Sequence, residues 1–194
     1  MDFSYSEVQQ MLQDSVKKFV SKNYDFDTRS KIIESEAGYS KENWQLFAEL
    51  GWLAVPLSEE DGGLGGSAVD LMVMMEEFGK ANLVEPFLPS AVIGGSLVAE
   101  LATNDQKSQI LEKVVGGNLQ LAYASAETGS RFNVSKVATS AEAKGDDIVI
   151  NGKKIAVLNG PNADQLLVCA RERGSESDAD GISIFLVDPN TPEI

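Results

Sequence analysis

The chain has 194 residues, 43% of them apolar, and a formal net charge of −14. That apolar share suffices for one or two packed domains, and the charge argues against a surface that tracks nucleic-acid phosphates, which needs clustered Lys and Arg. The sequence has no histidine and one cysteine, which removes Ser-His-Asp and Cys-His catalysis, histidine-ligated metals, internal disulfides and multi-cysteine zinc sites.

In chain order, Ser4-Tyr5-Ser6-Glu7 has the spacing of a capping box. Val8, Met11, Leu12, Val16, Phe19 and Val20 then share one helical face. Residues 25–38 are polar and less regular. Trp44, Phe47 and Leu50 recur at threes before Gly51, which is placed as a C-terminal cap. The stretch WLAVPLSEEDGGLGGSAVD combines a strand-like piece, a glycine-rich loop and a helix start, so a phosphate-binding loop has to be weighed. No Gly-Lys-Ser/Thr follows, and Glu59, Glu60 and Asp61 would repel a phosphate. A tight loop that delivers Ser67 as a helix cap is the preferred reading.

Leu71, Met74, Met75 and Phe78 continue at i, i+3, i+4, i+7, a spacing that marks core rather than a ligand box. Pro86 and Pro89 open another helix carrying Ile93, Leu97 and Leu101. Gly94-Gly95 inside it costs roughly 1 kcal/mol per glycine against alanine. The pair therefore permits a close approach, by a neighbouring helix or by a ligand, with the helix preferred. Asn104 to Val115 forms a last amphipathic helix, stopped by Gly116-Gly117.

From Leu119 the pattern changes. Short apolar runs at Leu119-Leu121-Tyr123, Ile148-Ile150, Ile155-Val157 and Leu166 to Cys169 are broken by turn chemistry at Lys144-Gly145-Asp146, Asn151-Gly152 and Asn159-Gly160-Pro161. These predict short antiparallel strands joined by hairpins. Cys169 lies inside the last run and reads as a small buried hydrophobe rather than a reactive thiol. Arg173 to Asp180 reads as an exposed acidic loop. No apolar run nears the ~20 residues of a membrane span, so a soluble, cytoplasmic protein without membrane insertion is expected.

Three pieces of the β stretch carry a specific resemblance: Tyr123-Ala124-Ser125-Ala126-Glu127, Ala138-Thr139-Ser140-Ala141, and Lys144-Gly145-Asp146 with Ile150-Asn151-Gly152-Lys153-Lys154. Upstream, Pro56 with Glu60-Asp61-Gly62-Gly63-Leu64-Gly65 adds a fourth. In this order and spacing the chain resembles the acyl-CoA dehydrogenase family along essentially its whole length. The resemblance implies an α+β architecture: an N-terminal all-α helical domain over residues 1–117, then a truncated antiparallel β-barrel middle domain over 118–194. The family's C-terminal four-helix domain is absent from these residues.

It also implies FAD as cofactor and an acyl-CoA thioester as substrate. In that family a carboxylate removes the α proton while the β hydrogen leaves as hydride to flavin N5. Electron-transferring flavoprotein is the implied acceptor, and a homo- or hetero-oligomer with another subunit of the family the implied assembly. Carried over position by position, the flavin contacts fall on Tyr123, Ser125, Ala126 and Glu127 and on Ala156, Val157 and Leu158. Phe132 falls at a substrate-binding position.

The sequence departs from the family at several of these places. The family's threonine is Ala126, its tryptophan over the flavin is Ala156, and its hydroxyl near N5 is Leu158. Arg131-Phe132-Asn133 occupy the positions of a Gly-Ser-Asp. Backbone contacts survive such changes and side-chain contacts do not. No residue matches the catalytic base; Glu127, a lone carboxylate in the key strand, is given a supporting role. A non-catalytic acyl-CoA-binding or assembly subunit of the same fold is the alternative reading.

Overall fold

The computed structural model describes residues 4–192 and 194. The described residues form two compact units. One runs to Phe87 and resumes over Gly95–Asn118; the other takes Leu88–Gly94 and Leu119–Ile194.

The first unit is helical: α1 (Glu7–Asn23), α2 (Phe26–Ile33), α3 (Lys41–Glu49), α4 (Ala68–Lys80), α5 (Gly95–Leu101) and α6 (Asn104–Val115). Helix starts follow side-chain capping. Ser67 accepts from the Asp70 amide and Asp70 returns a bond to the Ser67 amide; Thr103 and Gln106 do the same for α6. Such caps contribute about 1 kcal/mol each. The box at the start of α1 is formed by Ser6 and Gln9, two residues later than the Ser4…Glu7 reading, because the first helical residue is Glu7. The polar stretch after residue 24 contains a further helix, α2, capped by Asp25.

An aromatic cluster fills the core of this unit. Phe19, Phe47, Trp52, Phe78 and Phe87 have ring centroids 4.9–5.6 Å apart along the chain of contacts, and each is almost fully buried. Burial of such side chains contributes about 2 kcal/mol apiece. The apolar stripe on α1 is buried only at its C-terminal half, at Val16 and Phe19; Val8 and Met11 are exposed. Leu50 and Leu101 likewise face solvent.

The strand-like run after Gly51 is a 3-10 turn, Trp52–Ala54, because a short continuous apolar run fits any fully buried backbone. The glycine-rich loop that follows spends its amides on the protein itself. Those of Leu64, Gly65 and Gly66 donate to Ala54, Leu57 and Val55 carbonyls at 2.8–2.9 Å. None of the three is left for a phosphate, and the loop delivers Ser67 to α4.

The second unit is a mixed sheet of β1 (Leu121–Ala124), β2 (Ser140–Lys144), β3 (Asp147–Asn151), β4 (Gln165–Arg171) and β5 (Ile182–Val187). The sheet is not closed. The expectation of purely antiparallel pairing is corrected here: β2–β3 and β4–β5 are antiparallel, but β1 lies parallel to β4. A long connection, rather than a hairpin, separates β1 from β4, so the chain returns in the same direction.

On one edge of β4, β1 pairs along residues 165–168, and β2 begins at Arg171. The Gln165 amide donates to the Gln120 carbonyl and the Arg171 amide to the Thr139 carbonyl. β5 takes the other edge. The π-helical segment Phe87–Gly94 joins this unit at Gly94, where a Cβ would stand 2.5 Å from that of Leu121. The close approach at this glycine is therefore made by strand β1, not by a helix or a ligand. Asn151-Gly152, read as a turn, ends β3 instead, and Gly152 is needed because a Cβ there would meet Thr139.

Candidate functional site

After Ala124 the chain leaves the β4 edge, and β2 reaches that edge only at Ser140. The gap between them is organised by Glu127. One carboxylate oxygen accepts from the Ala138 amide at 2.7 Å. The other accepts from the Thr139 amide at 3.0 Å, the Thr139 hydroxyl at 2.5 Å and the Lys154 ammonium at 2.6 Å. Burial alone would raise its pKa, but these bonds outweigh burial and bring it down to about 2. A carboxylate so committed is a poor proton acceptor near neutrality. Its bonds instead tie the segment after β1 to the start of β2.

The segment 154–159 runs back along 121–127 and is tied to it at both ends. Lys154 holds Glu127 and also donates to the Ser125 carbonyl at 3.3 Å. The Ile155 amide donates to the Ala126 carbonyl at 2.9 Å. At the far end, Asn159 donates to the Gln120 side chain at 3.1 Å and reaches the Leu121 carbonyl at 3.5 Å. The strand expected over Ile155–Val157 does not form. Ala156 has φ +51°, which no extended strand accommodates, and the Ala126–Ile155 bond is a single tie rather than a ladder.

Between these ties, the main chain is left open. Among the described residues, the amides of Ala126, Val157 and Leu158 donate to no protein acceptor. Ala126, Ala156 and Leu158 are exposed, and Tyr123, Ser125 and Val157 are half-buried. The fold thus brings together seven of the eight residues singled out from the sequence. Phe132 is apart: it sits fully exposed in the turn after Glu127, where Arg131 has φ +50°. Cys169 is buried in β4, and burial pushes its thiol pKa up, which suits the hydrophobic reading.

The sequence reading assigned no role to Lys154, Thr139 or Arg171. Among the described residues, Arg171 is buried without a carboxylate partner; its guanidinium is caged by the carbonyls of Ser135, Val137, Arg173, Glu176, Asp178 and Asp180. It fixes the 173–180 loop. A lone cation at the end of an apolar strand run was the available signal.

A family model for the acyl-CoA dehydrogenase N-terminal domain matches residues 6–118, and one for the middle domain matches residues 122–194. The chain belongs to the acyl-CoA dehydrogenase family. It is 30% identical over 192 residues to the acyl-CoA dehydrogenase FadE12 of Mycobacterium tuberculosis, covering 98% of this chain and 49% of that protein. Among solved structures, the FAD complex of PigA matches with a TM-score of 0.84 at 27% identity, over 99% of this chain and 50% of PigA. The Tcur3481-Tcur3483 steroid ACAD matches with a TM-score of 0.82 at 26% identity, over 97% and 49%. The chain spans about half the length of the curated relatives it matches.

For an acyl-CoA dehydrogenase, the unpaired amides of Ala126, Val157 and Leu158 are the donor type that a ring bearing carbonyl and imine acceptors requires. These main-chain donors fit a flavin edge. The side chains at 126, 156 and 158 offer neither a hydroxyl nor an aromatic face.

Proposed function

We propose that this chain provides the helical domain, residues 1–117, and part of the middle domain, residues 118–194, of a cytoplasmic FAD-dependent acyl-CoA dehydrogenase subunit. The parent enzyme desaturates an acyl-CoA thioester between Cα and Cβ. The observation that carries this reading is the set of open amides at Ala126, Val157 and Leu158 beside the Glu127–Lys154 pair; the resemblance assigns these residues to the flavin. FAD, when bound, supplies the hydride acceptor. Tyr123, Ser125, Ala126 and Glu127 form one side of its seat and Ala156, Val157 and Leu158 the other; Phe132, apart from them, keeps the substrate-binding assignment that the resemblance implies. The protein's contribution here is fixed donors that need no rearrangement when charge develops on the bound ring. Glu127 is not assigned as the base that takes the α proton, because its carboxylate is committed to Lys154 and to the Ala138 and Thr139 amides.

The proposal includes an oligomer with the same or another acyl-CoA dehydrogenase subunit and electron-transferring flavoprotein as acceptor. Within the family, Met1-Asp2-Phe3 and the β stretch look most like the small subunit of pimeloyl-CoA dehydrogenase, which adds dicarboxylyl-CoA thioesters to the substrates to test. Those three residues lie outside the described residues.

Ala126, Ala156 and Leu158 favour a second reading, a subunit that binds acyl-CoA or a partner without holding flavin. A visible absorption spectrum of the whole gene product, followed by anaerobic addition of medium-chain and dicarboxylyl-CoA thioesters, separates the two. The dehydrogenase reading expects a flavin spectrum that bleaches with one thioester. A protein that stays colourless even when co-expressed with a second subunit, yet binds the thioester, establishes the second reading.

A further inference from the structure

The Lys154 ammonium makes two bonds: to the Glu127 carboxylate at 2.6 Å and to the Ser125 carbonyl at 3.3 Å. The Ser125 carbonyl and the Ala126 amide are the two ends of one peptide group. A cation bonded to the oxygen draws electron density from the nitrogen and makes the N–H a stronger donor. The next carbonyl, that of Ala126 itself, is held by the Ile155 amide at 2.9 Å. Residue 126 is therefore fixed through the carbonyls on both sides of it, while its own amide remains open.

We propose that Lys154 is a positioning residue that fixes and polarises the Ala126 amide, making it a strong donor of the flavin edge where the side chains at 126 and 158 supply no hydroxyl. Glu127 holds the ammonium in place and neutralises it. The pair thus strengthens one donor without imposing a net charge on the edge. A lysine side chain that is only 9% exposed would otherwise be costly to keep charged. The inference takes from the proposed function only what the amide meets; the polarisation itself belongs to the protein alone.

Two-dimensional 15N–1H spectra of the flavin-free chain test it directly. The Ala126 amide proton is expected downfield in the unmodified chain. It should move upfield in Lys154→Met and keep its position in Lys154→Arg, with the helical-unit amides unchanged as a check on folding. In Glu127→Gln the ammonium loses its carboxylate partner, and the Ala126 amide should move further downfield. If the Ala138 and Thr139 amides shift in Lys154→Met while Ala126 does not, Lys154 only neutralises Glu127 and the proposal is wrong.

A second readout uses the flavin-loaded protein. Lys154→Met should lower the flavin reduction potential and Glu127→Gln should raise it, since a buried negative charge opposes reduction and a positive one favours it. Shifts of the same sign would overturn the assignment. A wild-type gene product that never binds flavin, alone or with a partner subunit, would defeat the proposed function and leave the spectra to decide the role of Lys154.

Discussion

The Lys154 ammonium and the Glu127 carboxylate meet at 2.6 Å with both side chains less than a tenth exposed. Twenty-seven residues apart in sequence, they close the gap that β1 and β2 leave on the edge of β4. With the Ile155–Ala126 bond and the Asn159 contacts, this pair ties together the two segments of the candidate flavin edge.

The pair predicts a specific pH dependence. Glu127 titrates near 2 in the folded chain and from 4.5 when unperturbed. Between these values the unfolded state binds more protons, so stability rises with pH across the window. The contribution is fully present above the unfolded pKa and is lost as pH falls through the folded one. It amounts to on the order of 3 kcal/mol. Urea midpoints measured between about pH 6 and about pH 2.5 should fall more steeply for wild type than for Glu127→Gln. Parallel curves would show that Glu127 is not depressed.

Gly94→Ala should destabilise the sheet unit. The added methyl would stand 2.5 Å from Leu121 Cβ, and overpacking of this kind costs about 1–3 kcal/mol. Combined with Leu121→Gly, the loss should be less than the sum of the two single losses, because the Cβ that the methyl meets is then gone. Denaturant melts of the four proteins measure this.

Arg171 predicts a local effect. In Arg171→Met the carbonyls it gathers from residues 135–137 and 173–180 lose their shared donor. The exposed 173–180 loop should then be nicked by a nonspecific protease at least about tenfold faster, from local opening eased by about 1–2 kcal/mol. Arg171→Lys should fall between, since an ammonium reaches fewer carbonyls than a planar fork.

Restoring the missing hydroxyls should strengthen flavin binding. Ala126 and Leu158 are exposed, so Ala126→Thr and Leu158→Thr need no repacking and should change stability by less than about 0.5 kcal/mol. Each new hydrogen bond is worth up to about tenfold in affinity. Fluorescence titration with FAD is the measurement; an unchanged dissociation constant in the double variant would place the flavin elsewhere.

Helices α4 and α6 were legible because each has a capping residue, a 3.6-residue apolar period and a stop. Their local signals and their packing agree. The Trp52 run and the Ile155–Val157 run misled for one reason: a short apolar stretch fits a strand, a 3-10 turn or a loop equally well. In the second case, the left-handed backbone at Ala156 decided. Glycine patterns were similarly ambiguous, so the sequence flagged a close approach at Gly94 but not that Leu121 makes it.

By itself, then, the amino-acid order determined the helical first half, the start of the sheet and the ordered motif set that marks the family. All of these rest on contacts within a few residues or on spacing. Only the tertiary structure decided that β1 runs parallel to β4, that Lys154 reaches both Glu127 and the Ser125 carbonyl, and that Arg171 cages a distant loop. Those features are pairings between residues far apart in the chain, such as the Gln165 amide and the Gln120 carbonyl. Long-range pairings depend on how the chain crosses itself, which no local propensity encodes.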